Sequence, residues 1–131
     1  MKHALIIEDN AIIAAMIRDY LDERGYDSVD MAGSQDEAIH LAERRCPDLI
    51  TADDILLHGS GVEAIRHICH DRAIPVIFIV ADPTNVERAL PNALLLQKPS
   101  LRERSPAQFR RLRKPLWFSP NLAFSQPLMS V

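Results

Sequence analysis

Two acidic pairs and one lysine carry the chemistry in this sequence. Glu8-Asp9 follows the apolar run Ala4-Leu5-Ile6-Ile7, Asp53-Asp54 follows a run ending at Ala52, and Lys98 follows the block Ala93-Leu94-Leu95-Leu96. Clustered carboxylates are hard oxygen ligands. They suit Mg²⁺, an ion that keeps several waters and typically pairs with a substrate phosphate. A lysine beside them supplies a point charge for that phosphate. The expectation is a divalent-cation site with an anion-pairing lysine, provided the fold brings these residues together.

The rest of the pattern says that it does. Ala4–Ile7 reads as a strand buried on both faces. Ile12, Ile13, Met16, Ile17, Tyr20 and Leu21 then recur at helical spacing, with Gly25 where a helix ends. Residues 27–32 form a weak second strand. Ser34-Gln35-Asp36-Glu37 is a capping box opening a helix with Ala38, Ile39, Leu41 and Ala42 inward. Pro47 precedes a third strand over 48–52, and Ser60-Gly61-Val62-Glu63 caps a helix that buries Val62, Ile65, Ile68 and Cys69. Pro75–Val80 is the strongest strand, rich in β-branched residues. Thr84-Asn85-Val86-Glu87 reads as a third capping box, on a helix that Pro91 cuts short. The Ala93–Leu96 block is a fifth strand, and a basic helix is expected over 101–113. Strand and helix alternate about five times, which predicts an α/β doubly wound parallel sheet with helices on both faces. In such a sheet ligands gather outside the carboxyl ends of the strands, where Glu8, Asp9, Asp53 and Lys98 all fall.

The chain has 131 residues, enough for one well-cored domain. Its net charge of −3 hides an asymmetry: residues 1–97 carry 8 Lys/Arg against 17 Asp/Glu, and residues 98–131 carry 7 against 1. An acidic body argues against gripping a phosphate backbone. No apolar stretch is long and clean enough to span a bilayer, and the start is too short for a signal peptide. Two cysteines, Cys46 and Cys69, offer neither a disulfide framework nor a metal cluster, so a cytoplasmic location is expected. His67 and His70, at i and i+3, have zinc-compatible spacing but no further ligand nearby, and read as surface residues.

Over about residues 3–100 the sequence resembles the receiver domain of two-component response regulators. The resemblance rests on Glu8-Asp9 after the first strand, Pro47–Asp53 ending the third, Gly61 eight residues after Asp53, and Lys98-Pro99 after the fifth. It implies a flavodoxin-like fold with strand order 2-1-3-4-5. It also implies that Asp53 takes a phosphoryl group from a histidine kinase or phosphotransfer protein, forming an acyl phosphate. Asp9 and Asp53 would bind Mg²⁺ directly, Glu8 largely through water, and the backbone carbonyl of Ile55 would be a further ligand. Lys98 would pair with the phosphoryl oxygens. A carboxylate attacks a charged phosphate poorly unless a metal and a lysine cancel the repulsion.

The sequence also departs from that family. Its fourth strand usually ends in Thr or Ser, and here Val80 stands there, followed by Ala81. Leu95 replaces the usual aromatic three residues before the lysine, and Ser100 follows Lys98-Pro99. Asp54 is a rival nucleophile, set aside because Asp53 matches the spacing from Pro47. Asp82 either borders the mouth of the site or starts a loop.

Residues 1–114 are therefore expected to be a receiver with a short fourth helix, and 115–131 an uncharged tail with Pro115, Pro120, Pro127, Trp117, Phe118 and Phe124. That tail is expected to run extended and pack on a receiver surface, most plausibly of a second copy in a homodimer. The run Arg110–Lys114 reads as a solvated helix face rather than a nucleic-acid contact. The expected function is a stand-alone, Mg²⁺-dependent phosphoacceptor acting through protein contacts in a phosphorelay. It would be no enzyme beyond its own phosphorylation and dephosphorylation. The alternatives are a degenerate receiver that binds partners without phospho-switching, and a Mg²⁺-dependent aspartyl phosphatase.

Overall fold

A computed structural model describes residues 2–98 and the backbone of residues 127–128. The elements run β1 (Lys2–Ile7), α1 (Ala11–Asp22), β2 (Tyr26–Ala32), α2 (Gln35–Arg44), β3 (Leu49–Ala52), α3 (Gly61–Ile68), β4 (Ile74–Val80), α4 (Thr84–Ala89), β5 (Leu94–Gln97) and β6 (Pro127–Leu128). The sheet order is β2-β1-β3-β4-β5, and these five strands are all parallel. This is the doubly wound arrangement that the alternation of apolar blocks and helical periods implies.

Strand periodicity divides the core. Leu5, Ile7, Ile50, Ala52, Val76, Phe78 and Val80 face one side, where they pack with Ala38 and Ala42 of α2, Val62 and Ile65 of α3, and Val86 of α4. Ala4, Ile6, Leu49, Ile77 and Ile79 face the other side, against Ile13, Ala14, Ile17 and Leu21 of α1. With successive side chains on opposite faces, a strand covered on both sides must be apolar throughout.

Three local expectations need correction. Ile12, placed in the apolar stripe of α1, is exposed, because it lies in the first turn where the helix emerges at the rim of the sheet. Thr84 does not cap α4: Pro83 occupies the cap position and makes no side-chain bond there. The capping is supplied by Asp82, whose Oδ1 accepts from Thr84 N (3.0 Å) and Thr84 Oγ1 (2.6 Å). Leu94, Leu95 and Leu96 of β5 are half-buried rather than fully enclosed.

The expected helix over 101–113, and the tail except for two residues, lie outside the described residues. Pro127 and Leu128 run antiparallel to the start of β4, opposite Pro75 and Ile74 of the same chain.

Candidate metal and phosphoryl site

The site forms where β1, β3 and β5 end. At β1, Glu8 N donates to Ala32 O (2.9 Å), which ties the turn to the end of β2. Asn10 then caps α1, its Oδ1 accepting from Ile12 N (3.0 Å) and Ile13 N (3.1 Å), while its own N donates to Glu8 Oε2 (3.2 Å). At β3, Asp53 N donates to Ile7 O (2.9 Å), so the Asp53 backbone stays paired with β1 past the end of its own strand. At β5, Lys98 N donates to Val80 O (2.6 Å).

These anchors converge. Carboxylate oxygens of Glu8, Asp9 and Asp53 lie within 4.8 Å of one another, and among the described residues this is the group that could hold a metal ion. Lys98 Nζ donates to Asp53 Oδ2 at 2.8 Å and lies 2.5 Å from Glu8 Oε1 as an ion pair. Glu8 Oε1 is thus buried against this ammonium. Burial pushes the Glu8 carboxyl up to about 7, the Asp53 charge adds to the rise, and the Lys98 ammonium opposes it.

The donor set fits Mg²⁺. It offers hard oxygens from three carboxylates at one rim, with more negative charge than the single lysine balances. Glu8, Asp9 and Asp53 would hold such an ion. Ile55 is exposed in the loop after β3 and bridges Ser60.

The loop from Asp53 to Gly61 is held from several sides. Leu57 N donates to Asp9 Oδ2 (2.9 Å), and Ser60 N donates to Gln35 Oε1 (2.9 Å). Gly59 turns with φ +87° against the Gln35 side chain. Asp54, the rival nucleophile, is buried and turned toward α3. Val80 is buried at the end of β4, and Ala81 is exposed. Asp82 is exposed and engaged with Thr84, so it starts a loop. His67 is exposed beside Glu43 (3.7 Å) and joins no metal-competent group among the described residues.

Residue spacing anticipated Glu8, Asp9, Asp53 and Lys98. Asn10, the Leu57 amide and the inward turn of Asp54 were missed. Asn10 did leave a signal, a capping residue just before an apolar period. The Leu57 contribution is a backbone donor, which no residue type announces.

Comparison with known proteins agrees with this geometry. Residues 4–97 match the family model described as response regulator receiver domain. The transcriptional regulatory protein PdtaR of Mycobacterium tuberculosis is 35% identical over 80 residues, covering 61% of this chain and 39% of PdtaR. The phyllosphere-induced regulator PhyR of Methylorubrum extorquens is 37% identical over 100 residues, covering 72% of this chain and 37% of PhyR. The match thus spans about two fifths of the length of these relatives. The solved response regulator PhyR from Brucella abortus superposes with a TM-score of 0.67 at 37% identity, covering 74% of this chain and 41% of that one.

Proposed function

This chain belongs to the response regulator receiver domain family, and we propose that it is a Mg²⁺-dependent phosphoacceptor with Asp53 as the acceptor. The observation that carries this reading is the Lys98 ammonium on Asp53 Oδ2 at 2.8 Å, inside the cluster of three carboxylates. A bound Mg²⁺ supplies charge neutralisation for the incoming phosphoryl group. Asp53 then forms the new bond from a carboxylate oxygen to phosphorus as the phosphorus–nitrogen bond of a kinase or phosphotransfer histidine breaks. The imidazole leaves with its electron pair. Lys98 exchanges its carboxylate contact for the phosphoryl oxygens, keeping the added charge paired in a site where it is costly to leave bare.

The chain's own catalysis is limited to this self-phosphorylation and slow hydrolysis, and its output is altered affinity for protein partners in a phosphorelay. It works in the cytoplasm, a reading supported by its free cysteines and by the absence of any membrane-spanning helix among the described residues. We also propose a homodimer contact through residues 115–131, although Pro127 and Leu128 pair with Pro75 and Ile74 of the same chain. Truncation after Lys114, followed by light scattering, tests that contact.

A second reading, partner binding without a phospho-switch, draws on Val80. It is a buried apolar side chain where a hydroxyl would meet the phosphoryl group. The aspartyl phosphatase reading loses support, since Asp54 is engaged with α3 and offers no second acid at the site.

The test is a beryllofluoride and Mg²⁺ titration followed by amide NMR, with acetyl phosphate labelling of wild type, Asp53→Ala and Asp54→Asn. Saturable binding in wild type and loss of labelling only in Asp53→Ala support the proposal. Labelling that survives Asp53→Ala overturns it.

A further inference from the structure

The residue after the acceptor makes contacts that the phosphoacceptor reading does not use. Asp54 is buried, and its side-chain Oδ1 accepts from Ser60 Oγ (3.3 Å) and Val62 N (3.4 Å). Its backbone oxygen accepts from Gly61 N (2.8 Å). One residue therefore closes the whole return from β3 to α3. It also meets the N-terminal turn of α3, where unpaired amides and the helix dipole favour a carboxylate.

What that return carries makes the closure matter. At one end is Asp53, the acceptor, and next along is Ile55, the expected carbonyl ligand. Then comes Leu57, whose amide holds Asp9 Oδ2 at 2.9 Å. At the far end Gly61 lies directly against the Asp53 carbonyl. Any swing of the loop moves Asp53, Ile55 and the Asp9 restraint together. Apart from the Asp54 side chain, the loop is held by the Gly61 N–Asp54 O bond, by the Ile55–Ser60 bridge, by Gln35 at Ser60 and His58, and by Asp9.

We infer that Asp54 is a positioning residue for the cation site, its carboxylate locking the loop from Asp53 to Gly61 so that Asp9, Asp53 and Ile55 face one point. It touches neither metal nor phosphoryl group and acts through Ser60, Gly61 and Val62. The inference rests on the phosphoacceptor reading only in taking the carboxylate cluster as the Mg²⁺ site. Outer-sphere partners of this kind commonly change metal affinity by about 10- to 100-fold.

The experiment is a Mg²⁺ titration of the full chain by calorimetry, with amide exchange at Leu57 and Val62, for wild type, Asp54→Ala, Asp54→Asn and Asp54→Glu. Asp54→Ala should weaken Mg²⁺ binding about tenfold or more and lose protection at both amides. Asp54→Asn keeps an acceptor oxygen in place and should recover binding to within about threefold of wild type. Asp54→Glu keeps the charge but displaces the acceptor, and it should stay weak even if the alanine variant fails to fold. Wild-type Mg²⁺ affinity in Asp54→Glu or Asp54→Ala overturns the inference, as does an asparagine variant no better than alanine. Failure of acetyl phosphate labelling at Asp53, with this Mg²⁺ ranking intact, counts against the phosphoacceptor reading alone.

Discussion

Gly61, the first residue of α3, lies so close to Asp53 that a Cβ there would collide with the Asp53 carbonyl oxygen. The clash would be with backbone, so no rotamer change relieves it. Gly61→Ala must push α3 away from β3 or twist Asp53. We expect a loss of about 2–4 kcal/mol in stability, typical of severe overpacking, read from the urea midpoint. Mg²⁺ affinity should fall as well. A variant with wild-type midpoint and affinity would show that the helix start can yield freely.

Asp9 carries a more selective prediction. Its carboxylate is only partly buried and contributes to no core cluster. Asp9→Asn should therefore leave the fold intact and abolish Mg²⁺ binding. Unchanged affinity by calorimetry would remove Asp9 from the ligand set.

Glu8 sets a pH dependence with a definite sign. Its carboxyl is raised from 4.5 to about 7 in the folded chain, chiefly by burial. Between those values the folded state holds a proton that the unfolded state has released, so metal-free stability falls as pH rises from about 4.5 to 7. The loss is bounded at roughly 3–4 kcal/mol, at about 1.4 kcal/mol per pKa unit. Glu8→Gln should flatten this slope in urea titrations at successive pH values. Mg²⁺ should stabilise wild type more at pH 8 than at pH 5, since binding must displace the proton. A slope that survives Glu8→Gln would assign the effect elsewhere.

Val80→Thr tests whether the missing hydroxyl at position 80 mutes the response to phosphorylation. The swap is close to isosteric but buries a hydroxyl at a position with almost no exposure, costing about 1 kcal/mol while that hydroxyl lacks an acceptor. Beryllofluoride at Asp53 would supply one. Amide shifts on its addition should then spread further through β4 and β5 than in wild type. Shifts already widespread in the wild-type chain would count against the muting.

The fold was legible because two signals agreed along the chain: continuous apolar runs for the doubly covered strands, and 3.6-residue periods for the helices between them. Glu8, Asp53 and Lys98 were legible for a related reason, since each follows such a run and the topology does the rest. Ile12 misled because helical periodicity does not record where the sheet ends and solvent begins. Thr84 misled because Asp82 reaches the same turn from outside the helix. The Asp54 contacts could not be read at all, for they depend on a loop conformation that Gln35 helps to set from α2.

The bond from the Lys98 amide to the Val80 carbonyl has a consequence for sequence variation. A main-chain acceptor is indifferent to the side chain it carries, so position 80 can exchange a hydroxyl for a methyl without moving the lysine. In the phosphoacceptor reading, charge pairing at Asp53 and readout along β4 would thereby be separable traits. On that reading, drift at this one position would lower the response to phosphorylation while Asp53 keeps its lysine.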